Sequence, residues 1–143
     1  MREMEQVEKL RSLLEQGYTC AISVGTEILC SKDRGVAPLL SWLKKRVNTQ
    51  KCVAVDKVVG KAAAYLYVLL GVDFVYANTM SEPAERVFQQ FGVEYSYGER
   101  VLAIRNRSGD GLCPMEKAVW DIADPQTAYQ KICETLQQLK EKK

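Results

Sequence analysis

The stretch VAVDKVVGKAAAYL, residues 53–66, joins a short apolar run to an alanine-rich segment of strong helix formers. The continuous apolar run at residues 52–55 is typical of a strand that is covered on both faces of a parallel sheet. We expect this strand to end at Val55 and the following helix to open at Asp56. A charged, glycine-containing corner between a strand and a helix either binds an anion or only caps the helix.

The sequence on either side of this stretch alternates between strand and helix patterns, which is typical of a layered α/β domain. In order, it predicts a helix up to residue 17, an antiparallel hairpin of residues 18–24 and 26–31, a helix from residue 35, strands at 52–55 and 73–77 that are each followed by a helix, strands at 93–97 and 100–106, and helices from residues 114 and 124. Pro38 has to lie in the first turn of the second helix. Ser81 is the expected N-cap of the helix that ends at Gly92, with Pro83 in its first turn.

Composition narrows the class of protein. A chain of 143 residues with 47% hydrophobic content suits one compact domain, so we expect a single domain over residues 1–143. The absence of histidine excludes Ser-His, Cys-His and HExxH mechanisms. The five cysteines lie at scattered spacings and the N-terminal segment does not resemble a secretory signal, which together predict a cytoplasmic protein. The longest near-apolar run, residues 62–72, is shorter than the roughly 20 residues of a membrane span, so we expect no membrane association.

Positive charge is concentrated in one part of the chain. Residues 31–61 carry eight basic and two acidic side chains, whereas the whole chain has a net charge of only +2. A basic stretch attracts anionic partners such as phosphates or nucleic acid. The alternative is that Lys44, Lys45 and Arg46 occupy the last turn of a helix, where the helix dipole favours cations.

Three strand-to-helix corners are the candidate binding positions, because ligands of open α/β sheets bind where helix N-termini meet the carboxyl ends of parallel strands. Consecutive βα units would bring the corners at residues 31–35, 55–61 and 78–82 to one rim. The candidate ligand-binding residues there are Asp33, Arg34, Gly35, Asp56, Lys57, Gly60, Lys61, Asn78, Thr79, Ser81 and Glu82.

The second corner leaves several alternatives open. Gly60 costs about 0.5–1 kcal/mol relative to alanine in a first helical turn, so we expect a ligand or a neighbouring helix or strand to approach its backbone closely. Asp56 is either the helix N-cap or a functional carboxylate: an acid, an acceptor for a ribose hydroxyl or a covalently modified group. Lys57 and Lys61 lie one turn apart and face either phosphate or solvent. The corner is not a P-loop, since Ala62 replaces the required Ser or Thr.

The phrase CPMEKAV, residues 113–119, adds two candidates near the C-terminus. Cys113 precedes Pro114 at a helix start, where a thiolate is stabilised, or is a buried structural cysteine. Glu116 lies in the first turn of the same helix and is either an anion that stabilises this turn or a catalytic base.

Four phrases carry a resemblance to a known family: RGVAPLL (34–40), DKVVGKAAA (56–64), NTMSEPAERVF (78–88) and GDGLCPMEKAV (109–119). With the order of the elements, they resemble a small uncharacterised bacterial family placed in the cytidine-deaminase-like superfamily. The resemblance covers nearly the full chain. It implies a three-layer α-β-α fold with a cytidine-deaminase-like mixed sheet, in which an N-terminal helix and a β-hairpin precede consecutive βα units.

Deaminases of this fold bind zinc through an H-x-E or C-x-E motif at the start of the helix after the hairpin and through P-C-x-x-C at the start of the next helix. Here those starts read DRGV (33–36) and DKVVG (56–60), without the zinc ligands or the glutamate. The chain is therefore not expected to be a zinc-dependent deaminase, and we expect no metal. The resemblance still implies a pocket between two helix starts, where lysine and arginine would suit a phosphate.

Two functional hypotheses follow. In the first, the protein binds a nucleotide or another phosphorylated small molecule at helix N-termini, with no other cofactor indicated. In the second, it is a non-catalytic protein-interaction or nucleic-acid-associated module with its ancestral pocket filled; nucleic acid is the weaker candidate partner. Residues 58–70 are apolar nearly all round, so either the terminal helices or another subunit cover this helix, and we favour a homodimer.

Overall fold

The computed structural model describes residues 2–47, 52–106 and 108–141, so Lys51 of the basic stretch lies outside the described residues. The elements along the chain are α1 (Arg2–Glu15), β1 (Cys20–Val24), β2 (Glu27–Ser31), α2 (Ala37–Lys45), β3 (Val53–Val59), α3 (Lys61–Leu70), β4 (Phe74–Ser81), α4 (Glu82–Phe91), β5 (Glu94–Val101), α5 (Pro114–Val119) and α6 (Pro125–Glu141). In the described part of the chain, no helix is long and apolar enough to cross a lipid bilayer.

The strands form one mixed five-stranded sheet in the order β2-β1-β3-β4-β5. β1 pairs antiparallel with both β2 and β3, while β3, β4 and β5 are parallel to one another. The predicted α/β fold with a mixed sheet and the predicted hairpin are thus confirmed. Because β1 runs antiparallel to β3, its first residue, Cys20, lies opposite Asp56. The residues that precede β1 are therefore brought to the carboxyl end of β3.

Two apolar clusters cover the two faces of the sheet. On one face, Val7, Leu10 and Leu14 of α1 pack against residues of β1, β3 and β4 such as Val53 and Val55. On the other face, apolar residues of the remaining helices form a larger cluster with the sheet. The layers are α1, the sheet, and the helices of the opposite face.

Helix α3 is covered by helices of its own chain. It contacts α2, α4, α5 and α6, and the side chains of Tyr65, Leu66 and Tyr67 are fully buried. This coverage explains why residues 58–70 lack a polar face, since the C-terminal helices pack where a surface helix would meet water. The apolar helix consequently gives no support for the expected homodimer.

The corner between β3 and α3 differs from its predicted form. β3 continues to Val59, because Val58 and Val59 pair with Thr79 and Met80 of β4, and α3 begins only at Lys61. Asp56 therefore lies within the strand, and its prediction as a helix N-cap was wrong. The two strands predicted at residues 93–97 and 100–106 are also corrected. One strand, β5, runs from Glu94 to Val101 through Gly98, and Arg105 forms only an isolated bridge with Leu112.

Several helix ends agree with the sequence. Ser81 Oγ accepts a hydrogen bond from the Ala84 N–H at 3.2 Å, so Ser81 is the N-cap of α4 as predicted. Gly92 ends this helix with a φ of 72°, a left-handed conformation that glycine adopts without strain. Pro38 lies in the first turn of α2, and Lys44 and Lys45 lie in its last turn. The two lysines therefore have the structural position that the helix dipole favours.

Candidate functional site

A cavity of about 490 Å³ lies at the carboxyl end of β3. Residues 34–36 before α2, and Gly60, Ala62 and Ala63 at the start of α3, line this cavity. Residues 104–105 and the start of α5 also line it. Two of the three corners expected from the sequence, and the CPMEKAV segment, therefore meet at one cavity.

Asp56 is a buried carboxylate in this cavity. Asp56 is only 8% exposed, and its side chain lies on the α3 side of the sheet. There the Tyr67 hydroxyl donates a hydrogen bond to Oδ2 at 2.7 Å. The backbone N–H of Val58 donates to Oδ1 at 3.3 Å. Burial raises the pKa of Asp56 to about 7, against the opposing effect of these hydrogen bonds and of the Lys57 backbone. Residues 2–47, 52–106 and 108–141 contain no salt bridge to Asp56.

Glu116 reaches from α5 to the N-terminus of α3. Its Oε1 accepts a hydrogen bond from the Lys61 N–H at 2.6 Å, and its Oε2 accepts one from the Ala62 N–H at 2.9 Å. Glu116 is 3% exposed, and burial raises its pKa, while the two N–H groups and Lys61 oppose this shift. Since a helix N-terminus favours an anion, this carboxylate occupies the position that the sequence predicts for a ligand's phosphate.

Gly60 is explained by the same carboxylate. A Cβ atom at this position would clash with Glu116 Oε1, closer than real Cβ contacts come. The φ of Gly60 is −101°, which other residues also adopt, so space and not backbone conformation requires glycine here. The sequence left open whether a ligand or a neighbouring helix or strand approaches Gly60. In the structure the close neighbour is a side chain of helix α5.

Basic residues from three segments line the cavity: Arg34 before α2, Lys57 in β3 and Arg105 after β5. Lys61 does not join them, because its Nζ donates to the Trp120 carbonyl at 2.7 Å and lies 5.7 Å above the Tyr65 ring. The two lysines of the second corner thus have different surroundings. At the start of α2, no described side chain caps the free N–H groups.

The third corner lies away from the cavity. Ser81 caps α4, and Glu82 pairs with Arg86 and Arg100. Asn78 is an exposed residue within β4. Asp33 of the first corner also does not line the cavity, and its carbonyl accepts a hydrogen bond from the Thr19 hydroxyl. The sequence-predicted residues that line the cavity are Arg34, Gly35, Asp56, Lys57, Gly60, Cys113 and Glu116, and those that do not are Asp33, Lys61, Asn78, Thr79, Ser81 and Glu82.

Three residues in or beside the cavity were not identified as candidates from the sequence. Thr19 precedes β1 and reaches the site only through the antiparallel pairing, in which the Lys57 N–H donates to the Thr19 carbonyl at 2.9 Å. Arg105 comes from a segment that was expected to be a strand. Tyr67 was visible only as part of the apolar helix, although its i, i+4 spacing from cavity-lining Ala63 places both on one helix face.

Chemically, the cavity offers carboxylates, cations and a thiol. Cys113, a free cysteine, is half-buried before α5 and is one of the lining residues. Among the described residues, no three cysteine, aspartate or glutamate side chains are grouped closely enough to hold a metal ion. The arrangement is suited to hydrogen bonding and ion pairing with a small molecule.

These features define the class: an α/β protein with a mixed five-stranded sheet and a mixed-charge cavity at the end of a central strand. Residues 8–136 match the model of the TM1506 family, a domain of unknown function (DUF1893), and the chain belongs to this family. The crystal structure of a DUF1893 family protein, TM1506 from Thermotoga maritima, is similar, with 27% sequence identity and a TM-score of 0.83; the alignment covers 90% of this chain and 88% of that one. No curated protein matches the sequence. The prediction of a family of unknown function is confirmed.

Proposed function

We propose that the cavity binds a nucleotide or another phosphorylated small molecule. The observation that carries this proposal is the combination, in one cavity of about 490 Å³, of the buried Asp56 with three basic residues from separate segments. The volume is in the range of small-molecule sites, which are mostly apolar and contain a few polar groups that orient the ligand.

The phosphate contacts Arg34, Lys57 and Arg105 in this proposal. The N-terminus of α3, the position expected from the sequence, is excluded because Glu116 already accepts its N–H groups. The uncapped N-terminus of α2 lies beside Arg34 in the cavity lining and adds partial positive charge. Charge-assisted hydrogen bonds from arginine to phosphate are among the strong polar contacts in proteins.

We further propose that the fold belongs to the cytidine-deaminase-like superfamily. The order of the elements supports this, and so does the fact that the starts of α2 and α3 line one cavity. These are the two helix starts that hold zinc in deaminases of this fold. The zinc ion itself does not fit, since the positions carry Arg34, Gly35, Gly60 and Lys61 instead of histidine or cysteine ligands.

The alternative of a non-catalytic interaction module assumed that the pocket is filled by side chains, and the open cavity does not favour it. Cytoplasmic location and a homodimer remain predictions that follow from the sequence alone.

A ligand panel tests the binding proposal. Purified protein is titrated with nucleoside monophosphates, sugar phosphates and inorganic phosphate, and binding is measured by calorimetry and by thermal shift. We expect saturable binding of at least one organic phosphate, and a loss of about tenfold or more in affinity in Arg34→Ala or Lys57→Ala, because each substitution removes a charge-assisted contact.

The matched control is Lys44→Ala, because Lys44 is an exposed cation in the last turn of α2 and lies outside the cavity. Its affinity should equal that of the unmodified protein. If no phosphorylated compound binds, or if all three variants weaken binding equally, the cavity is not the binding site and the proposal is wrong.

A further inference from the structure

The charges around the cavity are unevenly distributed. The acidic residues of the lining, Asp56 and Glu116, are buried, and Glu116 is already bound to the N-terminus of α3, whereas Arg34 and Arg105 are exposed and Lys57 is half-buried. A ligand that fills the cavity therefore meets a carboxylate at its inner end and cations at its outer end. The phosphate of the proposed function accounts for the cations, but it cannot be the group that faces Asp56.

Asp56 has unused hydrogen-bonding capacity. A carboxylate offers about four acceptor positions. Tyr67 and the backbone N–H groups of Val58 and Lys57 use at most three of them. All of these partners are neutral, and no lysine or arginine of the described residues forms a salt bridge with Asp56.

A buried carboxylate without a cationic partner is costly, because it has lost the hydration that stabilises its charge. A donor from the ligand would lower this cost. The donors that suit a carboxylate are N–H groups of an amine, an amidine-type edge or an amino-substituted ring, whereas a carbonyl oxygen in the same place would repel it.

We propose that Asp56 selects ligands that direct an N–H-donating amino or amidine-type group into the cavity and an anionic group toward Arg34, Lys57 and Arg105. This inference rests on the proposed function and narrows it to amino-bearing phosphorylated molecules. Thr19 lies in the same lining and adds a hydroxyl oxygen that can accept a second N–H, since its own proton is donated to backbone carbonyls.

Matched pairs of phosphorylated probes test this selection. In each pair an oxygen group replaces an amino group: cytidine and uridine monophosphate, adenosine and inosine monophosphate, and 2-aminoethyl and 2-hydroxyethyl phosphate. In the two nucleotide pairs the adjacent ring nitrogen also changes from an acceptor to an N–H donor, so the 2-aminoethyl and 2-hydroxyethyl pair is the one that changes a single group. Affinities are measured by calorimetry at about pH 8, above the pKa of Asp56, where the ionised carboxylate can only accept hydrogen bonds. We expect the amino member of at least one pair to bind about tenfold more tightly than its oxygen counterpart.

The Asp56→Asn variant should bring the two affinities of that pair to within about twofold of each other while phosphate-dependent binding persists, since the asparagine amide both donates and accepts. Asp56→Ser is the second variant, because it removes the carboxylate with a smaller side chain if asparagine prevents folding. Asp110→Asn is the control, since Asp110 is exposed in a loop outside the cavity and this variant should keep the full preference.

The outcomes separate the two proposals. If the phosphorylated probes bind but no pair shows a preference for the amino member, or if Asp56→Asn and Asp56→Ser keep the preference, the selection by Asp56 is wrong and the binding function stands. If no probe binds, the binding function is wrong and the selection falls with it.

Discussion

The buried Asp56 makes a sharp prediction about how stability depends on pH. Its folded-state pKa of about 7 lies above the ordinary value of 3.8, because burial disfavours the charged form. Between these two values the folded protein holds a proton that the unfolded chain has released. The stability that Asp56 confers is therefore complete below about pH 4 and is lost as the pH rises to about 7.

The Asp56→Asn variant isolates this effect, because asparagine keeps the size of the side chain but does not titrate. A shift of 3.8 to about 7 corresponds to about 4 kcal/mol at 1.36 kcal/mol per pKa unit. We expect the free energy of unfolding of the unmodified protein, minus that of the variant, to fall by about 1.4 kcal/mol per pH unit across this window and to level off above about pH 7. Other titrating groups cancel in the difference.

The measurement is urea unfolding followed by tryptophan fluorescence and far-ultraviolet circular dichroism, at intervals from about pH 4.5 to about pH 8. Unchanged m-values would show that both proteins unfold in the same way. Asp110→Asn is the control for replacing an aspartate by an asparagine, because Asp110 is exposed in a loop. A difference between the unmodified protein and Asp56→Asn that stays constant, or that grows with pH, would refute the reasoning about Asp56.

Two further predictions concern the helix N-termini. Glu116→Ala should destabilise the fold by about 3 kcal/mol, since the N–H groups of Lys61 and Ala62 lose their partner in a buried place. Gly60→Ala should cost about 2 kcal/mol or more in the unmodified protein but under about 1 kcal/mol in the Glu116→Ala background, because the clash is with that carboxylate; additive losses in a double-mutant cycle measured by urea unfolding would contradict this. Ser81→Ala should cost about 1 kcal/mol in the same assay through the lost N-cap of α4, and no loss would show that the Ser81 hydroxyl contributes little.

The sequence by itself determined the elements whose signals are local. The hairpin around Gly25, the capping of α4 by Ser81 and the place of Pro38 in α2 each depend on residues within one turn or one strand pair. The steric limits on proline and the hydrogen bond of a serine cap act over three or four residues. Such features can therefore be predicted from neighbouring residues in the sequence. The close contact at Gly60 was expected from the cost of glycine in a first helical turn, but Gly60 is the N-cap that precedes α3, so helix propensity was not the reason for it.

The identity of that contact was decided by the tertiary structure. Glu116 meets Gly60 and the Lys61 N–H across 55 residues of sequence, and no local pattern pairs a carboxylate in α5 with the start of α3. In the same way, Val58 and Val59 belong to β3 because β4 offers them partners. Burial of Asp56 also depends on where α3 packs, and the pKa of a carboxyl group responds to its surroundings in space and not to its neighbours in sequence.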